Sequence, residues 1–159
     1  MLNQMDIFST VVLLLHPIFA IVLITAMWWQ YSWKTRQLQF KGEERTTYVA
    51  QHQKFGERLL VFAIMIVLLA FVARAIHAHI HNESILKSLI PSSLHGFSGP
   101  IGLFLLYYMV RFGRRAADLK EKGESFALQK KQHGRAADLV MILVFIHAFL
   151  GFLYIFEVL

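Results

Sequence analysis

The chain has 159 residues, 57% of them apolar and 16% charged, with a net charge of +6 and no cysteine. That is about one domain's length, and it is too apolar for an ordinary soluble fold of this size. The missing thiols exclude disulfides, covalent c-type heme attachment and thiolate-held iron–sulfur clusters, so any metal chemistry must use histidine or carboxylate.

Four stretches are long or apolar enough to read as spanning helices, which need about 20 residues to cross ~30 Å of hydrocarbon. The first is expected over residues 8–29. It has no basic n-region and ends in Trp28 and Trp29 rather than at a small-residue cleavage site. It therefore reads as a transmembrane helix with an aromatic belt of Trp28, Trp29, Tyr31 and Trp33. The second is expected over 55–76, with Arg74 near its far end placed to snorkel. The third, over 94–110, is short, and the fourth covers 136–156. Backbone groups in lipid must be satisfied within the segment, so each run should be α-helical. The expected architecture is all-α: a bundle of four transmembrane helices in a single integral membrane domain over 1–159.

The basic residues are unevenly spread. Lys34, Arg36, Lys41, Arg45, Lys54 and Arg58 follow the first helix, and Arg111, Arg114, Arg115, Lys120, Lys122, Lys130, Lys131 and Arg135 follow the third. Those are 14 of the 16 basic residues, a distribution that fits the positive-inside rule and not nucleic-acid binding. Both basic connections are thus expected in the cytoplasm or stroma, with both termini on the opposite side of a plasma or thylakoid membrane. Part of the surplus can also meet anionic lipid.

The chain matches itself. Lys41-Gly42-Glu43 and Lys122-Gly123-Glu124 precede Gln51-His52 and Gln132-His133 at the same distance, and each histidine has an acid at +5 (Glu57, Asp138). Upstream, Leu15-His16 matches Leu94-His95, with Trp28-Trp29 and Tyr107-Tyr108 equally far downstream. This predicts two repeated helix hairpins related by a pseudo-two-fold along the membrane normal.

Four histidines then fall one per helix. His16 and His95 belong near the outer face, and His52 and His133 at the inner ends. Helices one and three form one diagonal of the bundle, two and four the other, so each diagonal presents two imidazoles at one depth. That arrangement suits two bis-histidine b-type hemes, an outer one on His16 and His95 and an inner one on His52 and His133. The residues one turn on (Ala20, Gly56, Gly99 and Ala137) are all small, which leaves room for a porphyrin on the same face. The same smallness also serves plain helix packing. His16 lies within an apolar run, where an ionisable residue is a functional candidate.

His16-Pro17, His52, Ser93-Leu94-His95-Gly96-Phe97-Ser98-Gly99 and His133, opening or lying in successive helices, resemble the cytochrome b561 family. The likeness is to its four-helix members of the cyanobacterial and plastid type. It covers nearly the whole chain through sparse motifs and implies two hemes b per chain and transmembrane oxidoreduction. The family's usual extra helix at each end of the core is not matched, which leaves donor and acceptor open: a quinol, an ascorbate-like reductant or a redox protein.

Other histidines stand outside the pattern. His147, with Gly151 at +4, is a reserve iron ligand or a packing residue. His77, His79 and His81 crowd the end of the second helix, where His77 and His81 could share a transition metal. The competing reading of the whole is a heme-free anchor or assembly factor acting through its basic connections, and a third is a small transporter with a proton path through His16 and His147. The bilayer is the expected environment throughout, and a homodimer stays open. Reporters fused at Gly42 and Gly123 should both be cytoplasmic and one at Asn82 exported. Finding the two basic connections on opposite sides would break the repeat and the heme pairing together.

Overall fold

The computed structural model describes residues 4–158, with side chains over 14–153 and at Phe156. In chain order the helices are α1 (Gln4–Tyr31), α2 (Trp33–Arg36), α3 (Gly42–Ile80), α4 (Ile85–Leu89), α5 (Leu94–Glu121) and α6 (Ala127–Val158). No strand occurs among the described residues. Three helical segments are long and apolar enough to cross a membrane: Leu14–Gln39, Gly42–Ile80 and Ala127–Leu153. The apolar part of α5, residues 94–110, is diluted by His95, Ser98, Pro100 and three glycines before the basic half begins at Arg111.

The helices run well beyond the apolar cores that hydropathy marks. α3 begins at Gly42 rather than near residue 55, α5 continues to Glu121, and α6 starts at Ala127 rather than near 136. The basic stretches expected as loops are therefore mostly helix, joined by residues 32–41 and 122–126. The cause is local. Glu, Gln, Lys, Arg and Ala dominate these stretches, all good helix formers, and Glu43 and Glu44 sit in the first turn of α3, where the helix dipole favours acids. At 39 residues α3 is about 58 Å long, nearly twice the hydrocarbon thickness of a bilayer.

The repeated Lys-Gly-Glu sequences mark the joints. Gly123 ends α5 with φ +71, while the Glu124 N–H donates to the Leu119 carbonyl (2.9 Å) and the Gly123 N–H to that of Lys120 (3.1 Å). This is a glycine-capped helix end of the Schellman type, which asks for a left-handed residue. Gly42 takes the same region (φ +54) where the chain turns into α3.

The four long helices close a ring: α1 packs on α3, α3 on α5, α5 on α6 and α6 on α1. The hairpins α1–α3 and α5–α6 are the repeated units, and α1/α5 and α3/α6 are the diagonals, as the repeat requires. Between the helices Met27, Leu59, Leu60, Ala63, Leu106, Val110, Val140 and Met141 form the buried core. Outside, Ile21, Val61, Leu68, Ile101, Phe104, Ile142 and Phe149 are all more than half exposed. So contiguous an apolar coat on every long helix suits lipid rather than water. The two repeated acids make ion pairs across the remaining seams: Glu57 accepts from Arg114 Nε on α5 (2.8 Å), and Asp138 pairs with Lys34 and accepts from Tyr31 Oη (2.7 Å). Both pairs are exposed, which makes each worth about 0–1 kcal/mol, so they orient the ring more than they stabilise it.

Candidate functional site

The α5–α6 seam is set by histidine and glycine. A Cβ on Gly151 would lie 2.7 Å from His95 Cε1, and one on Gly113 would lie 3.2 Å from His133 Nδ1. Each ring thus crosses the seam over a glycine of the facing helix. Each then meets the carbonyl one turn before that glycine: His95 Nδ1 lies 3.1 Å from the His147 oxygen, and His133 Nδ1 lies 2.8 Å from the Met109 oxygen. The arrangement is reciprocal. His95 and Gly113 are separated by 18 residues of α5, and His133 and Gly151 by 18 residues of α6. At 3.6 residues per turn that is five full turns, so ring and glycine share one face of each helix. Donating Nδ1–H to a carbonyl also makes Nε2 the lone-pair nitrogen of each ring, as in metal-bound histidines.

Across the diagonals the predicted pairs meet. The His16 and His95 ring centroids are 6.1 Å apart at 78°, and those of His52 and His133 are 6.1 Å apart at 85°. A metal–imidazole bond is about 2 Å long and the ring centre lies about 1 Å behind its nitrogen, so trans ligands of one metal put their centroids about 6 Å apart, whereas a tetrahedral site needs about 5 Å. Both pairs have the trans spacing. His16 and His52 each keep a buried Nδ1 without a hydrogen-bond partner. All four rings are partly buried.

The two layers differ. At the His16–His95 layer His147 joins the pair: its ring stacks on His95 with centroids 4.1 Å apart and planes at 21°. Ligand nitrogens of His16, His95 and His147 all lie within 4.8 Å of one another, and this is the only such group of three or more metal-ligating residues among the described residues. Ser98, buried on α5, lies 2.8 Å from His147 Nδ1 and donates to the His95 carbonyl (3.0 Å). Having spent its one proton there, its hydroxyl accepts from His147 Nδ1–H.

At the inner layer His52 packs on Trp33, centroids 4.4 Å apart, and Trp33 stacks in turn on Tyr48. Gln30 Nε2 donates to the His52 carbonyl (2.7 Å) and also lies 3.4 Å from the position a Gly56 Cβ would take. A cleft of about 220 Å³ opens here, lined in part by Trp29, Gln30, Trp33, Tyr48, His52 and Arg58.

Of the small residues predicted to leave room one turn after each histidine, Gly99 faces His147 (3.4 Å) and Gly56 faces Gln30, while Ala20 and Ala137 are half-buried. The glycines that admit the α5–α6 rings are instead Gly113 and Gly151, on the neighbouring helix. The 18-residue spacing was the available signal for Gly113, and the matching His-x-Phe-x-Gly runs at His95 and His147 were the signal for the third histidine. At the end of α3, His77 and His81 pack together (centroids 4.3 Å) while His79 is exposed. No third histidine or carboxylate joins them among the described residues.

The chain matches no protein-family model, no curated protein and no solved structure. What defines the class of the site is its own geometry: two layers of facing imidazoles, one from each long helix, with a third imidazole in one layer.

Placing a methyl group on Gly151 forces the His95 ring to move. Gly151→Ala should lower the thermal unfolding midpoint in detergent, by about 1–3 kcal/mol of overpacking. In a His95→Ala background the same change should cost little, because the colliding ring is gone. Simple additivity of the two substitutions would mean that they do not touch.

Proposed function

We propose that the chain carries electrons across a bilayer on two noncovalent hemes b, held by His16 with His95 near the outer face and by His52 with His133 near the inner. One observation carries the reading: both diagonal pairs have centroids 6.1 Å apart, the spacing of two axial imidazoles on one iron and not of a tetrahedral ion. A heme-free anchor gives no cause for two equal spacings at equivalent places in a repeat. The donor sets fit a heme iron: neutral nitrogen ligands, two of them oriented through Nδ1 by a carbonyl, with no thiolate or carboxylate competing.

In this reading all four long helices span the membrane, α5 through residues 94–110, where Phe97, Ile101 and Phe104 turn outward. The basic helix extensions then lie on the cytoplasmic or stromal side. When bound, each heme supplies one-electron redox chemistry. The protein's part is positional. Gly151 and Gly113 let the rings cross, the His147 and Met109 carbonyls fix their tautomers, and the core of Leu59, Leu60, Leu106 and Val140 keeps water from the space between the layers. The layers are separated by 14 to 18 residues of α6 and α5, about 21–27 Å at 1.5 Å per residue, which spans most of the hydrocarbon core. Trp33 covers one face of His52 beside the cleft.

The test is ligand replacement at the inner layer. His52→Ala and His133→Ala should each remove one heme or convert it to high spin, and leave the other low-spin. His79→Ala should keep both. Two unaltered spectra from the inner variants would remove the assignment.

A further inference from the structure

The outer layer holds one more imidazole than a bis-histidine iron needs, and its placement is symmetric. His95-Gly96-Phe97-Ser98-Gly99 on α5 and His147-Ala148-Phe149-Leu150-Gly151 on α6 are antiparallel, with His95 facing Gly151 and His147 facing Gly99. His95 occupies the space left by Gly151, and His147 packs against Gly99. Each is also tied to the other's backbone. His95 Nδ1 meets the His147 carbonyl directly, and His147 Nδ1 reaches the His95 carbonyl through Ser98 Oγ. A local two-fold axis therefore relates the two histidines, and the hydrogen bonds give both the same tautomer, with the lone pair on Nε2. From α1, His16 has a ligand nitrogen within 4.8 Å of one on either residue. The three rings therefore bring their ligand nitrogens to one place, with His16 facing both partners.

We propose that His95 and His147 are alternative axial partners of His16, so that the outer iron keeps two histidines when either one is lost. The proposal rests on the heme reading above and adds to it a site with a spare ligand. With a heme bound, His95 or His147 would be the ring that offers its Nε2 lone pair beside His16. Exchange between the two moves no proton, because both rings keep the Nδ1 hydrogen that their present bonds assign. Packing of His147 as a mere support for His95 is the competing role, and it predicts a different outcome. A supporting ring cannot replace the ring it supports.

The second hairpin position of the repeat shows that the extra histidine is not imposed by packing. The counterpart of His147 in the first hairpin is Ile66, an apolar residue whose backbone lies against His16. His133 likewise meets the Met109 carbonyl with an apolar side chain at that place.

The experiment uses the full heme-loaded chain in detergent, with heme content and spin state read by absorption and electron paramagnetic resonance. His95→Ala and His147→Ala should each keep two hemes per chain, both low-spin, with a shift in the outer signal for His95→Ala. The double variant should lose the outer heme or turn it high-spin, while the inner heme stays low-spin and reports that the chain is folded. Loss or high-spin conversion of the outer heme in His95→Ala alone overturns the proposal and leaves the heme reading standing. Wild-type chain without heme overturns both. Should the double variant fail to assemble, the His95→Ala result decides by itself.

Discussion

In the α5–α6 seam, His95 and His133 each reach a carbonyl of the facing helix over a residue that has no side chain. That constraint organises the α5–α6 pair. Gly151 admits His95 and Gly113 admits His133, and these glycines set the register and the close approach of the helices. Once the register is fixed, the most buried residues of the two helices, Leu106 and Val140, fall beside each other in the core. The same register sets the depth at which His95 and His133 meet the α1–α3 hairpin. Packing and ligand geometry are here one problem: a change that loosens the seam also displaces the nitrogens.

The two hairpins solve it differently. In α5–α6 the crossing rings are held by carbonyls. In α1–α3 His16 lies against the Ile66 backbone with its Nδ1 unpartnered, and His52, whose Nδ1 is also unpartnered, packs on Trp33. Two rigid rings thus face two less constrained ones across the diagonals. Each pair combines one imidazole fixed by hydrogen bonding with one able to adjust. The His52–His133 layer is also the more open, with Trp33, Tyr48 and Arg58 beside a cleft. The His16–His95 layer is crowded by its third histidine.

The ring order of the helices and the pairing of histidines across its diagonals were legible in the sequence, because one histidine per apolar helix and a polar repeat fix depth and order together. The helix ends were not. Hydropathy marks where a helix is greasy, and residues 42–54 and 127–135 are helical through propensity and packing instead. Small residues were sought one turn along the same helix, which is all that a single helix's periodicity can offer. The glycines that matter for His95 and His133 lie across the seam, in a register that no one helix encodes. Ser98 and the Met109 carbonyl escaped for the same reason, while His147, a reserve ligand or packing residue in the sequence, lies against His95.

The central claim is that the two imidazole layers each hold a heme. The heme-to-chain ratio of the purified wild-type protein tests it most directly, measured by acid-solvent extraction and by a reduced-minus-oxidised spectrum. The account predicts two extractable hemes b per chain, both low-spin, since there is no cysteine to retain them covalently. A colourless chain, produced in heme-replete cells and correctly folded, would contradict it.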